Sequence, residues 1–115
     1  MNFSQAVNRC FANYATFSGR SPRSELWYFI LFLFLLQLVV GAISYALGFQ
    51  SLEYIVSLGT FLPAIAVEVR RLHDVGRSGW WLFLSLVPLV GTIILLVWFC
   101  RRGDAAANQY GPPPP

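Results

Sequence analysis

Two long apolar runs, Leu26 to Phe49 and Leu52 to Val69, dominate the chain, and a third, Trp80 to Cys100, follows a dense polar interval. The first holds 24 residues. As a helix it would measure about 36 Å, enough to cross a bilayer with some tilt. Its start is well marked: Ser21 suits a cap, Pro22 suits the first helical position, and Trp27 and Tyr28 suit headgroup depth. The second run contains Pro63, which predicts a kink that frees the Gly59 carbonyl. The third follows a capping Ser78 and is interrupted by Pro88 and Gly91.

Ahead of these runs the period changes. Phe3, Val7, Cys10, Tyr14 and Phe17 recur at helical spacing with Phe11 beside them, while Asn2, Gln5, Asn8, Arg9 and Asn13 fall opposite. That pattern predicts a short amphipathic helix lying in the membrane interface, whose apolar stripe could equally pack on the bundle. No unbroken apolar core occurs in this stretch, so it does not read as a signal peptide.

Composition fixes the class. Hydrophobic residues make up 57% of the 115 and charged residues 11%, a balance that would leave a soluble domain covered in apolar patches. The expectation is an all-α integral membrane protein forming one domain over 1–115. It comprises an interfacial amphipathic helix (1–17), three membrane segments (22–49, 52–75 and 79–100) and a proline-rich tail (101–115). Two cysteines, Cys10 and Cys100, supply neither a disulfide framework nor a zinc site.

Charge placement orients the segments. Arg20 and Arg23 precede the first run, Arg70, Arg71 and Arg77 follow the second, and the link between the runs carries no basic residue. The positive-inside rule then puts the N-terminus and the Arg70–Arg77 region in the cytoplasm. A straight third span would export Arg101 and Arg102. A re-entrant hairpin broken at Pro88–Gly91 would keep them inside, with each arm only half a bilayer deep. The straight span is the reading adopted from sequence.

Each run also carries a small or polar stripe: Gln37, Gly41, Ser44 and Gly48; Glu53, Ser57, Thr60 and Ala64; Trp81, Ser85, Pro88 and Thr92. Small residues let helices approach in lipid, so these stripes, with Gly59, Pro63 and Gly91, are the expected packing positions. A pore lined by Gln37 in an oligomeric transporter or channel is the alternative, though ion-coupled carriers usually need buried charge at mid-depth.

The polar interval "VEVRRLHDVGRSGWW" (Val67 to Trp81) concentrates the chemistry. All eight basic residues are Arg, whose forked guanidinium suits phosphate and carboxylate. Helical spacing would pair Arg70 with Asp74 and Glu68 with Arg71, and Gly76 would stop the helix. "GRS" occurs at Gly19–Ser21 and again at Gly76–Ser78, each before a tryptophan-bearing helix start. The expectation is one corner gathering Arg20, Arg23, Arg70, Arg71, His73, Arg77 and Ser78 against Glu25, Glu68 and Asp74. The plainer reading is a self-satisfied Arg–carboxylate network that pins helices together. The functional reading is a site for an anionic headgroup or a partner's acidic segment.

His73–Asp74 invites a catalytic role as well. With one His in the chain, a metal centre is not expected, and a His–Asp base would lack a nucleophile, because Ser78 is better placed as a cap. No cofactor and no nucleic-acid partner are expected; membrane lipids, a membrane-protein partner or a second copy of the chain are.

The segments "FSGRSPRSELWYF" (Phe17 to Phe29), "RRLHDVGRSGWW" (Arg70 to Trp81), "PLVG" (Pro88 to Gly91) and "GDAAANQYGPPP" (Gly103 to Pro114) occur in that order. Together they resemble the YhaH-type bacterial inner-membrane proteins, the family of domain of unknown function 805. The resemblance implies a multi-pass helical protein of the bacterial cytoplasmic membrane. It brings no catalytic residue to carry over. Asn108, Tyr110, Gly111 and Pro112 match the tail pattern of the family, while Ala105 to Ala107 depart from its Gly/Pro spacer. The final prolines favour an extended end, more often a solvated terminus than a docking strand.

Overall fold

A computed structural model describes residues 1–114 and is helical throughout its regular elements. Helix α1 is Phe3–Ala12, α2 is Arg23–Leu47, α3 is Ser51–Asp74 and α4 is Val90–Cys100, with a 3₁₀ segment, Gly79–Leu86, between α3 and α4. Helices α2 and α3 are each long and apolar enough to cross a membrane. They form an antiparallel pair because Gly48, in the left-handed region, closes α2 just before α3 begins.

Helix α1 opens with a reciprocal capping box between Asn2 and Gln5. It ends at Ala12, earlier than the apolar stripe suggested, because the Asn13 backbone and side chain both donate to the Arg9 carbonyl. It packs along the bundle: Phe3 meets Tyr28 and Phe32, and Phe11 meets Phe29 and Phe32 edge-on. Just beyond it, the Tyr14 hydroxyl donates to the Gly59 carbonyl at 2.5 Å. That carbonyl lies one turn before Pro63, which has no N–H to offer it.

Residues 79–100 do not form the straight span expected of them. The 3₁₀ arm leaves directly from the end of α3, and α4 returns to the same end of the bundle. There the Phe99 carbonyl accepts from Trp27 Nε1 and Arg71 Nε, and the Cys100 carbonyl accepts from Arg23. Between the arms Leu89 has φ +65°, the one non-glycine residue with positive φ among those described. A Cβ on Gly91 would lie 1.6 Å from the Leu84 carbonyl oxygen, so only glycine lets the arms approach so closely. Eight 3₁₀ residues and eleven α residues each span about 16 Å, half of a hydrocarbon core about 30 Å thick. A straight helix would also leave the α4 carbonyls without the Arg71 and Arg23 donors that now satisfy them.

Burial is inverted relative to a water-soluble domain. Ser21, Glu25 and Arg71 are wholly buried, whereas Tyr45, Leu58 and Leu86 are more than 70% exposed. The apolar part of the core is small and lies next to the polar one, around Cys10, Leu26, Phe29, Val67, Leu72, Leu95 and Phe99. An apolar solvent tolerates this arrangement, since it covers the outer leucines and penalises only unsatisfied polar groups.

Candidate functional site: an arginine cap closed by the C-terminal segment

At the end of the bundle where α2 begins and α3 and α4 finish, four arginines and two carboxylates form one network. Arg20 Nε donates to Asp74 Oδ1 at 2.9 Å, and Arg71 Nη1 donates to Asp74 Oδ2 at 2.5 Å. Arg70 reaches Glu25 Oε1 at 3.4 Å, and Arg9 reaches the same oxygen at 3.1 Å. Asp74 therefore pairs with Arg71 and Arg20, not with Arg70. Glu68 pairs with none of the arginines among the described residues. Local helical spacing lost to tertiary partners: Arg70 is directed at α2 and the Asn13–Ser21 turn, out of reach of its own next turn.

Four positive charges face two negative ones, and backbone carbonyls supply the balance. Arg70 Nη1 donates to the Asn13 and Thr16 carbonyls at 3.1 and 2.7 Å, and its Nε donates to Ser21 Oγ at 2.9 Å. Ser21 thus serves as an acceptor for Arg70. The N-cap position of α2 is held by Pro22 with no side-chain cap. Arg71 donates to the carbonyls of Phe99 and Arg101, at the negative end of α4. Arg20 donates to the Asp104, Ala106 and Gly111 carbonyls at 2.5, 2.9 and 3.1 Å.

Those last bonds show that the segment after α4 is docked, contrary to the solvated end expected of it. Gly103 crosses the Asp74 carboxylate so closely that a Cβ there would lie 2.0 Å from Oδ2. Asp104 N–H donates to the Asp74 carbonyl. Asn108 Nδ2 donates to the His73 carbonyl at 2.9 Å, and a bridge between Asn108 and Gly111 presents Tyr110 to His73. The two rings stack 3.9 Å apart, and His73 Nδ1 lies 3.0 Å from the Gly19 carbonyl. The carbonyl can only accept, so Nδ1 carries the proton.

Arg77 stands apart from the network, its guanidinium 4.7 Å from the Trp98 ring centre, and Ser78 accepts from the Trp80 N–H. His73 and Asp74 are both engaged, one between Gly19 and Tyr110, the other between two arginines. The GRS turns do come together: Ser21 N–H donates to the Arg70 carbonyl, and Gly19 holds His73. Gly76, at φ +76°, ends α3 with its N–H on the His73 carbonyl. Farther along the bundle Gln37 donates to Ser57 Oγ at 3.1 Å, and Gly41 faces Glu53. Ser44 and Gly48 instead terminate α2, with Ser44 Oγ donating to the Phe49 carbonyl. Gly59 is exposed and contacts Tyr14, and Pro88 belongs to the hairpin turn.

Sequence reasoning missed Arg9, Asp104, Asn108 and Tyr110. A signal existed for Arg9, the single charge on the polar face of α1. It existed too for the Asn-Gln-Tyr-Gly stretch, whose turn-forming composition sits poorly with a featureless end.

The sequence model described as "Protein of unknown function (DUF805)" matches residues 14–112. The chain belongs to that family. The DUF805 match begins at Tyr14 and runs past Gly111, so it takes in the cap except Arg9 and the Asn13 carbonyl. The chain is 42% identical to inner membrane protein YhaI of Escherichia coli (strain K12) over 104 residues, covering 89% of this chain and 88% of that protein. It is 41% identical over 108 residues to inner membrane protein YhaH of the same strain, covering 89% of each. A shorter likeness, 36% over 74 residues, links it to uncharacterized protein YiiR, with 63% of this chain and 50% of that protein covered. No solved structure matches the chain. Two bilayer-length apolar helices and relatives named as inner membrane proteins agree on the inner membrane as the place of this DUF805 protein.

Proposed function

We propose that this protein is a non-enzymatic, multi-pass component of the inner membrane whose arginine cap lies at the cytoplasmic surface and holds anionic lipid headgroups on its rim. In this reading α2 and α3 cross the bilayer, the 79–100 hairpin dips into the inner leaflet, and both chain ends are cytoplasmic. The hairpin favours this orientation, because it returns Arg101 and Arg102 to the end that already carries Arg20, Arg23, Arg70, Arg71 and Arg77.

In this reading Arg23, which the sequence favoured, meets lipid together with Arg101 and Arg102. Arg20, Arg70 and Arg71 are at most 3% exposed and fully engaged. The observation that carries the reading is the rim: Arg23 donates to the Cys100 carbonyl at 3.1 Å, bringing it beside Arg101 and Arg102, all three exposed and without a carboxylate partner among the described residues. Below Arg23 a groove of about 600 Å³ runs between Ser24, Trp27, Tyr28, Leu31 and Cys100. It combines headgroup-depth aromatics with a cationic top. Each cation held at an anionic surface contributes about 1 kcal/mol.

The test is lipid retention. Native mass spectrometry of the purified protein should show bound phosphatidylglycerol, and the triple variant Arg23→Gln, Arg101→Gln, Arg102→Gln should lose it while keeping the helical signal of the parent. Equal retention by parent and variant overturns the reading.

A further inference from the structure

A second groove, sharing no lining residue with the rim, runs between α3 and the 3₁₀ arm and encloses about 640 Å³. We propose that it holds a single-chain amphiphile whose head carries an O–H group, a protonated fatty acid or a monoacylglycerol. Two registers build its walls. On α3, Phe61, Ile65 and His73 share one face, at spacings of four and eight residues. On the 3₁₀ arm, three residues per turn stack Trp80, Phe83 and Leu86 in one column, with the Trp80 and Phe83 rings 5.7 Å apart and nearly parallel. Gly79 sets the wall separation at the mouth, since a Cβ there would come within 2.8 Å of Val69 Cγ1.

The groove is graded along its length. Its mouth, at the cap, presents His73 and Ser78, and its floor, at the hairpin turn, presents Phe61 and Leu86. From His73 to Phe61 is twelve residues of helix, about 18 Å, against about 15 Å for one leaflet of hydrocarbon. One extended acyl chain fits that depth.

The mouth selects the head. His73 is 91% buried, since 9% of it is exposed, and its Nδ1–H is taken by Gly19. Its Nε2 makes no hydrogen bond among the described residues, and in the neutral ring that atom is an acceptor. Ser78 Oγ already accepts from the Trp80 N–H, which leaves its own hydrogen to donate. An acceptor and a donor on one groove lining match a carboxylic acid or a glycerol hydroxyl. They disfavour an ionised phosphate, whose oxygens would face the Nε2 lone pair.

Trp80 provides the readout. Palmitic acid brominated in mid-chain should quench Trp80 emission saturably in the full-length protein in detergent, and the Trp80→Phe variant should lose that saturable part. Palmitic acid or monopalmitoylglycerol should displace the probe, whichever competes better naming the natural source, while methyl palmitate should compete about tenfold more weakly or worse. Ile65→Phe and Ser85→Phe, two independent fillings of the groove, should each weaken the probe by about tenfold with the helical signal unchanged. Non-saturable quenching, equal competition by the methyl ester, or unchanged affinity in both filled variants overturns the proposal. So does a concentration-dependent dimer that Ser85→Phe dissolves, because a second copy would then fill the groove.

Discussion

The phenol ring of Tyr110 lies flat on the imidazole of His73, with ring centres 3.9 Å apart and planes within 2°. Residues 37 apart in sequence are thereby joined where α3 ends, and the stack fixes the last turn of a segment held also by Arg20, by the Asp104 N–H on the Asp74 carbonyl and by Asn108 on the His73 carbonyl. Tyr110→Ala should cost about 0.5–1.5 kcal/mol. The check is limited proteolysis: cleavage after Arg101 and Arg102 should accelerate in the variant while the helical core survives.

Removing Arg71 should do far more. Its guanidinium is wholly buried and joins Asp74 to the last carbonyls of α4. Arg71→Ala leaves Asp74 with one cation in place of two and takes a donor from each of the Phe99 and Arg101 carbonyls. Breaking a buried pair in this way costs about 3–5 kcal/mol. Arg102→Ala, at an exposed position, should stay within about 0.5 kcal/mol. Thermal melts of the two variants in one detergent provide the comparison.

Gly91→Ala should break the hairpin, because the added methyl would occupy the space of the Leu84 carbonyl. Trp98 emission is the reporter, since Trp81 and Arg77 both contact that ring in the closed hairpin. A red shift is expected in the variant. An unchanged spectrum would mean that the arms are not held together at this point.

The two thiols should differ sharply. Cys10 is fully buried, and burial, reinforced by the nearby Glu25 charge, pushes its thiol up to about 12. Cys100 is exposed. The raised value keeps Cys10 protonated and unreactive throughout the neutral range, and its thiolate appears only as pH rises towards that value. Maleimide should therefore label one site per chain at pH 7.5, and Cys100→Ser should abolish the labelling. Two labelled sites in the folded protein would show that α1 is not packed as described.

Topology is tested at Ala106. In a Cys10→Ala, Cys100→Ser background, a cysteine at that position should resist an impermeant thiol reagent in intact cells and react after lysis. Labelling before lysis would place the segment after α4 outside and remove the cytoplasmic cap.

Much of the scaffold could be read from the chain. The runs from Leu26 and Leu52 became α2 and α3 because an unbroken apolar stretch of that length leaves the backbone few other ways to satisfy itself. Gly76 stopped α3 through its left-handed φ. The third run misled, because 79–100 has the composition of a span whether or not it turns. What turns it is a steric fact at Gly91 and a set of carbonyls that Arg71, Arg23 and Trp27 occupy from elsewhere in the fold. The pairing within the cap was equally hidden. Spacing proposed Arg70 with Asp74, but Arg70 bonds Glu25 and Ser21, residues whose proximity exists only after α2 and α3 have packed.

Because Gly111 supplies one of the carbonyls that hold Arg20, the cap is finished only once the chain has been made through that residue. Before then the Arg20 guanidinium lacks three of its carbonyl partners, those of Asp104, Ala106 and Gly111, and water must take their place. Sealing of the polar interior therefore waits on residues 104–111, and a nascent chain stalled ahead of them differs physically from one that carries them.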